Sequence, residues 1–416
     1  MEAIFDIGSL PRLRNQGDPV ADGVVAGVLA DASYEEAERT LVTLLLSLRN
    51  LDDHPEVTNW IGGSATTPPW VQGTLVAEGQ GLFAEWSLDI VTSLFCASLP
   101  FAYAAAQGVQ VLERTSQLAD PRTIARRIAE TGQMLLDVSE PGALAPGRRG
   151  YQTVRTVRLL HAVIRARLTL TPPSLDPSPT WDHQALGVPV NQEDLLGTLL
   201  SFTTVVFRAF AQMGIPLEAH AQESYLQLWA AIGTLLGIES CEYVLRPPQA
   251  EALTDVIAEE LHSRSSAGQH LMEVLMGEME ISMPWGLRKL PRTLVRHLGG
   301  DRLADMLGVE PSAWWGGLLP ALATVNRLTA RFPAGRAVLQ APSRVLGRSM
   351  IRMWIDRSIL GEGPTRLRID PPRLARLGIR TGPDQPGVGF RGRLRGHRRK
   401  VRMRQRARRS NIPDRS

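Results

Sequence analysis

His161 sits one turn from two arginines in the segment YQTVRTVRLLHAVIRARLTL, residues 151–170. Arg158 lies three residues before it and Arg165 four after it, so on a helix the three are neighbours on adjacent turns. Val154, Val157, His161, Ile164 and Leu168 follow one another at spacings of 3, 4, 3 and 4, the period of one buried helical stripe. A neutral imidazole in such a stripe is a competent axial ligand for haem iron. Its second ring nitrogen then needs a partner, often a backbone carbonyl, to fix the tautomer. A guanidinium fork matches a carboxylate, which makes Arg158 and Arg165 candidates to hold haem propionates. The same pattern fits a satisfied core histidine, and taken alone this helix leaves both readings open.

A second pair stands earlier in the chain, in PRTIARRIAETGQMLLDV, residues 121–138. Ile124, Ile128, Thr131, Leu135 and Val138 are spaced 4, 3, 4 and 3, and Arg127 and Thr131 share a face at i, i+4. An arginine and a hydroxyl beside an apolar stripe can line a pocket and stabilise bound dioxygen or a carbonyl product. An ordinary amphipathic helix with an edge arginine has the same appearance. Glu113, shortly before Arg127, is a candidate base for removing a substrate proton, or a surface glutamate beside Arg114.

These residues need helices to position them, and helical periodicity dominates the chain. It predicts helices over 34–50, 82–107, 121–138, 151–170, 192–214, 217–237, 248–263 and 343–360, while alternating strand patterns are scarce. Breaks fall at Glu140-Pro-Gly, at 172–179, at Gly187-Val-Pro-Val-Asn and at Arg246-Pro-Pro. Asn191 is placed to cap the helix that starts with Gln192, Glu193 and Asp194.

Competing chemistries lack their residues. A ferritin-like di-iron site needs two Glu-x-x-His motifs, and the chain offers Glu259-x-x-His262 alone, which reads better as a solvated helix face. There is no HExxH, GxSxG or P-loop, and no GxGxxG in a strand context. His54, His183 and His220 fit no ligand spacing and read as surface or capping residues. Cys96 and Cys241 stand among apolar neighbours with no CxxC, which predicts two buried thiols in a reducing compartment.

The net charge of +4 hides an asymmetry. Residues 391–416 hold 12 Lys or Arg and one acid, a net +11, and residues 1–390 carry −7. The tail could attract anionic lipid or nucleic acid by counterion release. With Phe390 as its one aromatic, base stacking is poorly supported, so no specific nucleic-acid partner is expected. The longest apolar run, Ile90 to Ala106, is 17 residues and contains Pro100. That is short of the ~20 residues of a membrane span, and it reads as a buried core helix. The start, MEAIFDIGSLPRLRNQGD, does not read as a secretory signal. The expected location is cytoplasmic, with peripheral membrane contact and oligomeric state left open.

Taken in order, Arg127-x3-Thr131, Val154-Arg-Thr-Val-Arg-Leu-Leu-His161-Ala-Val-Ile-Arg165, Gly187-Val-Pro-Val-Asn-Gln-Glu-Asp194, and Tyr225-Leu-Gln-Leu-Trp229 with Gly233 and Leu235-Leu-Gly237 resemble one family. It is the catalytic domain of rubber oxygenases (latex clearing proteins), which also includes the fungal oxygenase that shortens a farnesyl chain in mycophenolic acid biosynthesis. The resemblance covers roughly residues 75–300. It implies haem b in a globin-like helical core, with His161 as proximal iron ligand and Arg127 and Thr131 matching the pocket Arg and Thr. It implies a dioxygen-dependent cleavage of an isoprenoid double bond. The latex enzymes can carry a distal lysine and are exported, whereas this chain has no lysine before Lys289. A non-catalytic haem or apolar-ligand binding protein on the same scaffold is the alternative.

The expected architecture is all-α, a single large helical domain with a globin-like haem-binding core. Residues 1–30 form an N-terminal extension, 31–300 the oxygenase-like domain, 301–360 C-terminal helices packed on the core, and 361–416 a Pro/Gly/Arg-rich basic tail predicted to be disordered.

Overall fold

Helical periodicity is answered by helices throughout. The computed structural model describes residues 10–46, 55–63, 67–115, 121–170, 181–239, 241, 246–311, 317–347, 349 and 351–352. The basic tail, His54 and most of the helix expected over 343–360 lie outside the described residues. Among those described there is no strand, only one isolated backbone bridge between Ala105 and His262. The all-α expectation holds.

In chain order the helices are α1 (Leu10–Arg14), α2 (Pro19–Leu29), α3 (Tyr34–Leu46), α4 (Pro55–Gly62), α5 (Thr74–Glu85), α6 (Ser87–Ser93) and α7 (Leu99–Ala104). They continue as α8 (Val109–Arg114), α9 (Pro121–Val138), α10 (Arg149–Leu170), α11 (His183–Leu186), α12 (Gln192–Ser201), α13 (Thr204–Gln212) and α14 (Ala219–Leu236). The last are α15 (Pro247–Leu261), α16 (Ser266–Ser282), α17 (Leu290–Gly299), α18 (Asp301–Met306), α19 (Leu318–Ala330) and α20 (Pro333–Pro342).

Two long helices expected from periodicity are interrupted. The stretch over 82–107 breaks at Trp86 (φ −121°, ψ 27°) and again in a π-helical turn, Leu94–Ser98. Pro100 has no N–H to give Cys96, and just before it the Leu99 N–H bonds to Leu94 O, five residues back. The stretch over 192–214 breaks at Phe202–Thr203. The Thr203 and Thr204 hydroxyls donate to Leu199 O and Leu200 O there, competing with the helical ladder. Ser87–Ala104 and Gln192–Gln212 have the length and hydropathy of membrane spans, and most of each is buried inside the fold.

The main core gathers Phe83, Tyr151, Leu196, Phe210 and Tyr225 from α5, α10, α12, α13 and α14, with Trp86 from the junction of α5 and α6. Gly79 is what lets α5 lie directly on α14. A Cβ at that position would collide with Ser224 O and stand 2.8 Å from the Leu228 Cβ. A second core forms where α10 meets α2, α3 and α4, from Leu159, Ala162, Val163, Ala21, Val25, Leu41, Leu44 and Val57. Residues 10–29, part of the expected extension, are therefore built into the helical body. Both cysteines are buried, and burial pushes the Cys96 thiol up to about 12.

Candidate functional site

The α9–α10 hairpin brings the two chemistry-bearing segments side by side. Its turn is pinned by Asp137, whose carboxylate accepts from Gln133 Nε2 at 2.7 Å and Thr153 Oγ1 at 2.9 Å and pairs with Arg149 at 2.9 Å. Gly150 allows the close return, since a Cβ there would stand 2.7 Å from Asp137 O.

His161 is on the fourth turn of α10 and is half-buried. Its Nδ1 is buried, so the accessible surface of the residue lies away from that nitrogen. The stripe expected through Val154, Val157, His161, Ile164 and Leu168 is buried at Val154 and Ile164 and half-buried at the others. The most deeply buried residues near His161 are Leu159, Ala162 and Val163, on the side facing α2, α3 and α4. One stripe cannot describe a helix that is packed on several sides at once.

Both arginines next to His161 reach α2. Arg158 donates to Asp18 from Nε (2.6 Å) and Nη2 (2.8 Å). Asp18 in turn caps α2 by accepting from Ala21 N. Arg165 donates from Nε to Asp22 (2.8 Å) and from Nη1 to Val190 O (3.0 Å), while its Nη2 is buried with no hydrogen-bond partner among the described residues. Burying an unsatisfied guanidinium nitrogen is costly, and a carboxylate one turn from His161 would satisfy it. A third arginine was not expected. Arg155 is buried, donates from Nε to Trp60 O at 2.6 Å and lies 4.2 Å over the Trp60 ring. Its burial lowers its pKa.

Thr131 is exposed on α9, although Leu135 and Val138, which follow it on the same stripe, are buried. The side chain of Arg127 lies outside the described residues, although its backbone is one turn before Thr131 in α9. Glu113 is exposed at the end of α8. His262, read as part of a solvated helix face, is instead half-buried with its ring 4.3 Å from Phe101, and burial lowers its pKa to about 4.

The Gly187–Asp194 turn closes one side of this region. Gly187 has φ +70°, and a Cβ there would stand 2.5 Å from Arg14 O. Val190 holds φ +51°, an uncommon conformation for a β-branched residue. Its carbonyl is the one that Arg165 engages, which supplies a reason for the strain to persist. Asn191 caps α12 as expected, accepting from Asp194 N at 2.8 Å. Behind the turn Arg14 pairs with Glu193 and, at 3.6 Å, with Asp194. Burial pushes Glu193 up to about 7 and Asp194 up to about 6, with Arg14 pulling both the other way. Sequence reading missed this cluster because Arg14 is separated from its partners by most of the fold's first half.

Among the described residues no group of three His, Cys, Asp or Glu stands together to hold a bare metal ion. A haem brings four nitrogens of its own and asks the protein for an axial donor and for cations near its propionates. His161 and the unsatisfied Arg165 Nη2 fit that donor set.

Residues 90–328 match the family described as the ER-bound oxygenase mpaB/B'/rubber oxygenase catalytic domain. The chain is 28% identical over 256 residues to the rubber oxygenase of Streptomyces sp. (strain K30), and spans 60% of that relative's length and 60% of its own. Among solved structures it is similar to latex clearing protein LCP in the closed state, with a TM-score of 0.59 at 22% identity, over 86% of this chain and 94% of that one.

Proposed function

The chain belongs to the mpaB/B' and rubber oxygenase catalytic domain family, and from that premise we propose that it is a haem b-dependent oxygenase that cleaves or oxidises an apolar, isoprenoid-like substrate with dioxygen. The observation that carries this reading is the buried, unsatisfied Arg165 Nη2 one turn along α10 from the half-buried His161.

Haem iron, when bound, supplies the binding and activation of dioxygen. His161 would donate a ring nitrogen to it, held in orientation by a helix clamped through Arg158–Asp18 and Arg165–Asp22. Arg165 would give its spare N–H to a propionate, with Arg158 beside the second. Arg127 and Thr131, on the neighbouring helix, would donate hydrogen bonds toward oxygen or a nascent carbonyl. Such donors aimed at developing negative charge are worth about 10²–10³ in rate.

The test is an optical spectrum of the purified full chain, oxidised and reduced, followed by oxygen uptake with a panel of isoprenoid alkenes. A Soret band that His161→Ala abolishes or strongly shifts is expected, with oxygen uptake lost in Thr131→Val while the band is retained. Failure to take up haem on reconstitution overturns the proposal. Haem binding without oxygen uptake on any alkene leaves a carrier or sensor.

A further inference from the structure

The α19–α20 hairpin is held to the body at its two ends and, between them, by the Arg336–Glu218 pair and by Gln340 Nε2 donating to Glu85 at 3.3 Å. Near its start, Gly214 (φ +78°) at the end of α13 receives the Ala323 backbone so closely that a Cβ would collide with Ala323 O. Asn326 Nδ2 donates to Met213 O at 2.8 Å beside it. Past its end, buried Ser343 accepts from Leu88 N at 2.8 Å and receives the Ser87 hydroxyl on its carbonyl at 3.1 Å. Between these anchors Ala323 is the buried residue of α19, and α20 has none.

What the hairpin presents outward is apolar. Leu318 (53% exposed), Leu322 (51%), Val325 (57%) and Leu328 (51%) fall at spacings of 4, 3 and 3, and Phe332 (66%) follows four residues on. At 3.6 residues per turn the four α19 side chains lie within an arc of about 120°, roughly opposite Arg327. A helix normally turns such a stripe toward a core. Here Ala323 and Asn326 take the docked side and the stripe faces out, which marks a surface that meets something else.

The charge of the segment says what. From Pro311 to Ile355 there is no Asp or Glu and there are six arginines; Arg336 and Arg344 pair with Glu218 and Glu85 of the body, while Arg327 and Arg331 are exposed. A second copy docked on this face would set two such segments against each other, and like-charge juxtaposition is costly. Residues 353–416, with 18 Lys or Arg and five acids, carry the same sign and are disfavoured as occupant for the same reason.

We propose that the α19–α20 hairpin is a peripheral membrane-docking surface, its Leu318–Phe332 stripe entering the apolar edge of an anionic lipid leaflet while the exposed Arg331 at its flank meets the headgroups. An amphipathic, cationic helix lying in the interface has this construction. The proposal is independent of the reading of His161.

The test is co-sedimentation of the full chain with vesicles of phosphatidylcholine alone or mixed with phosphatidylglycerol. Binding is expected to the mixed vesicles, to weaken with added salt, and to fall about tenfold or more in L322S/V325S. These side chains are exposed, and an unchanged far-UV spectrum and melting profile verify the variant's fold. Binding that survives L322S/V325S and disappears on deletion of residues 391–416 overturns the proposal, since the tail alone would then be responsible. A concentration-dependent dimer in sedimentation velocity that L322S/V325S abolishes overturns it in favour of a second copy.

Discussion

Arg158 and Asp18 meet through two parallel hydrogen bonds, Nε to Oδ2 at 2.6 Å and Nη2 to Oδ1 at 2.8 Å, across 140 residues of sequence. The helix that carries His161 is thereby tied to the start of α2. Truncating Asp18 leaves a largely buried guanidinium without its partner, and stranding a charge in this way costs about 3–5 kcal/mol. Asp18→Ala is expected to lower the urea midpoint accordingly. Adding Arg158→Met should recover part of the loss, because no charge is then left stranded.

The Arg14–Glu193–Asp194 cluster makes stability depend on pH in an unusual direction. Burial raises both carboxyls in the folded state, Glu193 to about 7 and Asp194 to about 6, above the ordinary carboxylate range they have when unfolded. The folded chain therefore binds more protons, so this contribution is fully present below about pH 4 and is lost as pH rises through about 6 to 7. In urea titrations over that window, Glu193→Gln is expected to show a shallower decline than the parent. Superimposable pH profiles would contradict the assignment.

Gly79 and Gly81 occupy the same helix with opposite surroundings. Gly79 faces the α14 backbone at Ser224, and nothing lies within 4 Å of a Cβ at Gly81. Gly79→Ala is expected to destabilise by about 1–3 kcal/mol, the usual cost of overpacking. Gly81→Ala should stabilise by up to about 1 kcal/mol through helix propensity. Thermal unfolding of the two single variants reads the contrast directly.

Arg165→Met removes the unsatisfied Nη2 and leaves Asp22 partly exposed to water, where it tolerates the loss. If Arg165 meets a propionate, haem transfer to an acceptor such as apomyoglobin should become about tenfold faster or more, by analogy with lost outer-shell partners at metal sites. The position of the Soret band should move little, because His161 is untouched. An unchanged transfer rate would show that Arg165 serves only the Asp22 and Val190 contacts.

Local periodicity alone was enough to read the all-α architecture, the extent of α9 from Pro121 to Val138, most of α10 and the Asn191 cap. These depend on residues within a turn or two of one another, and 3.6-residue spacing records them. It was not enough for the breaks at Trp86 and Thr203, where an apolar pattern runs on while the backbone does not. Nor could it show that Thr131 is exposed or that Arg158 and Arg165 are engaged by α2. It likewise does not record that, beyond the core-packed Leu303 and Ala304 of α18, α19 turns an apolar stripe outward. Which side of an amphipathic helix finds a partner, and which distant carboxylate reaches a given arginine, depends on how the helices cross. Those crossings are set by contacts such as Gly79 on Ser224 and Gly214 on Ala323, between residues far apart in the chain. Packing at that range leaves no periodic signature in the sequence, because it is decided by which surfaces exclude water together once the chain has collapsed.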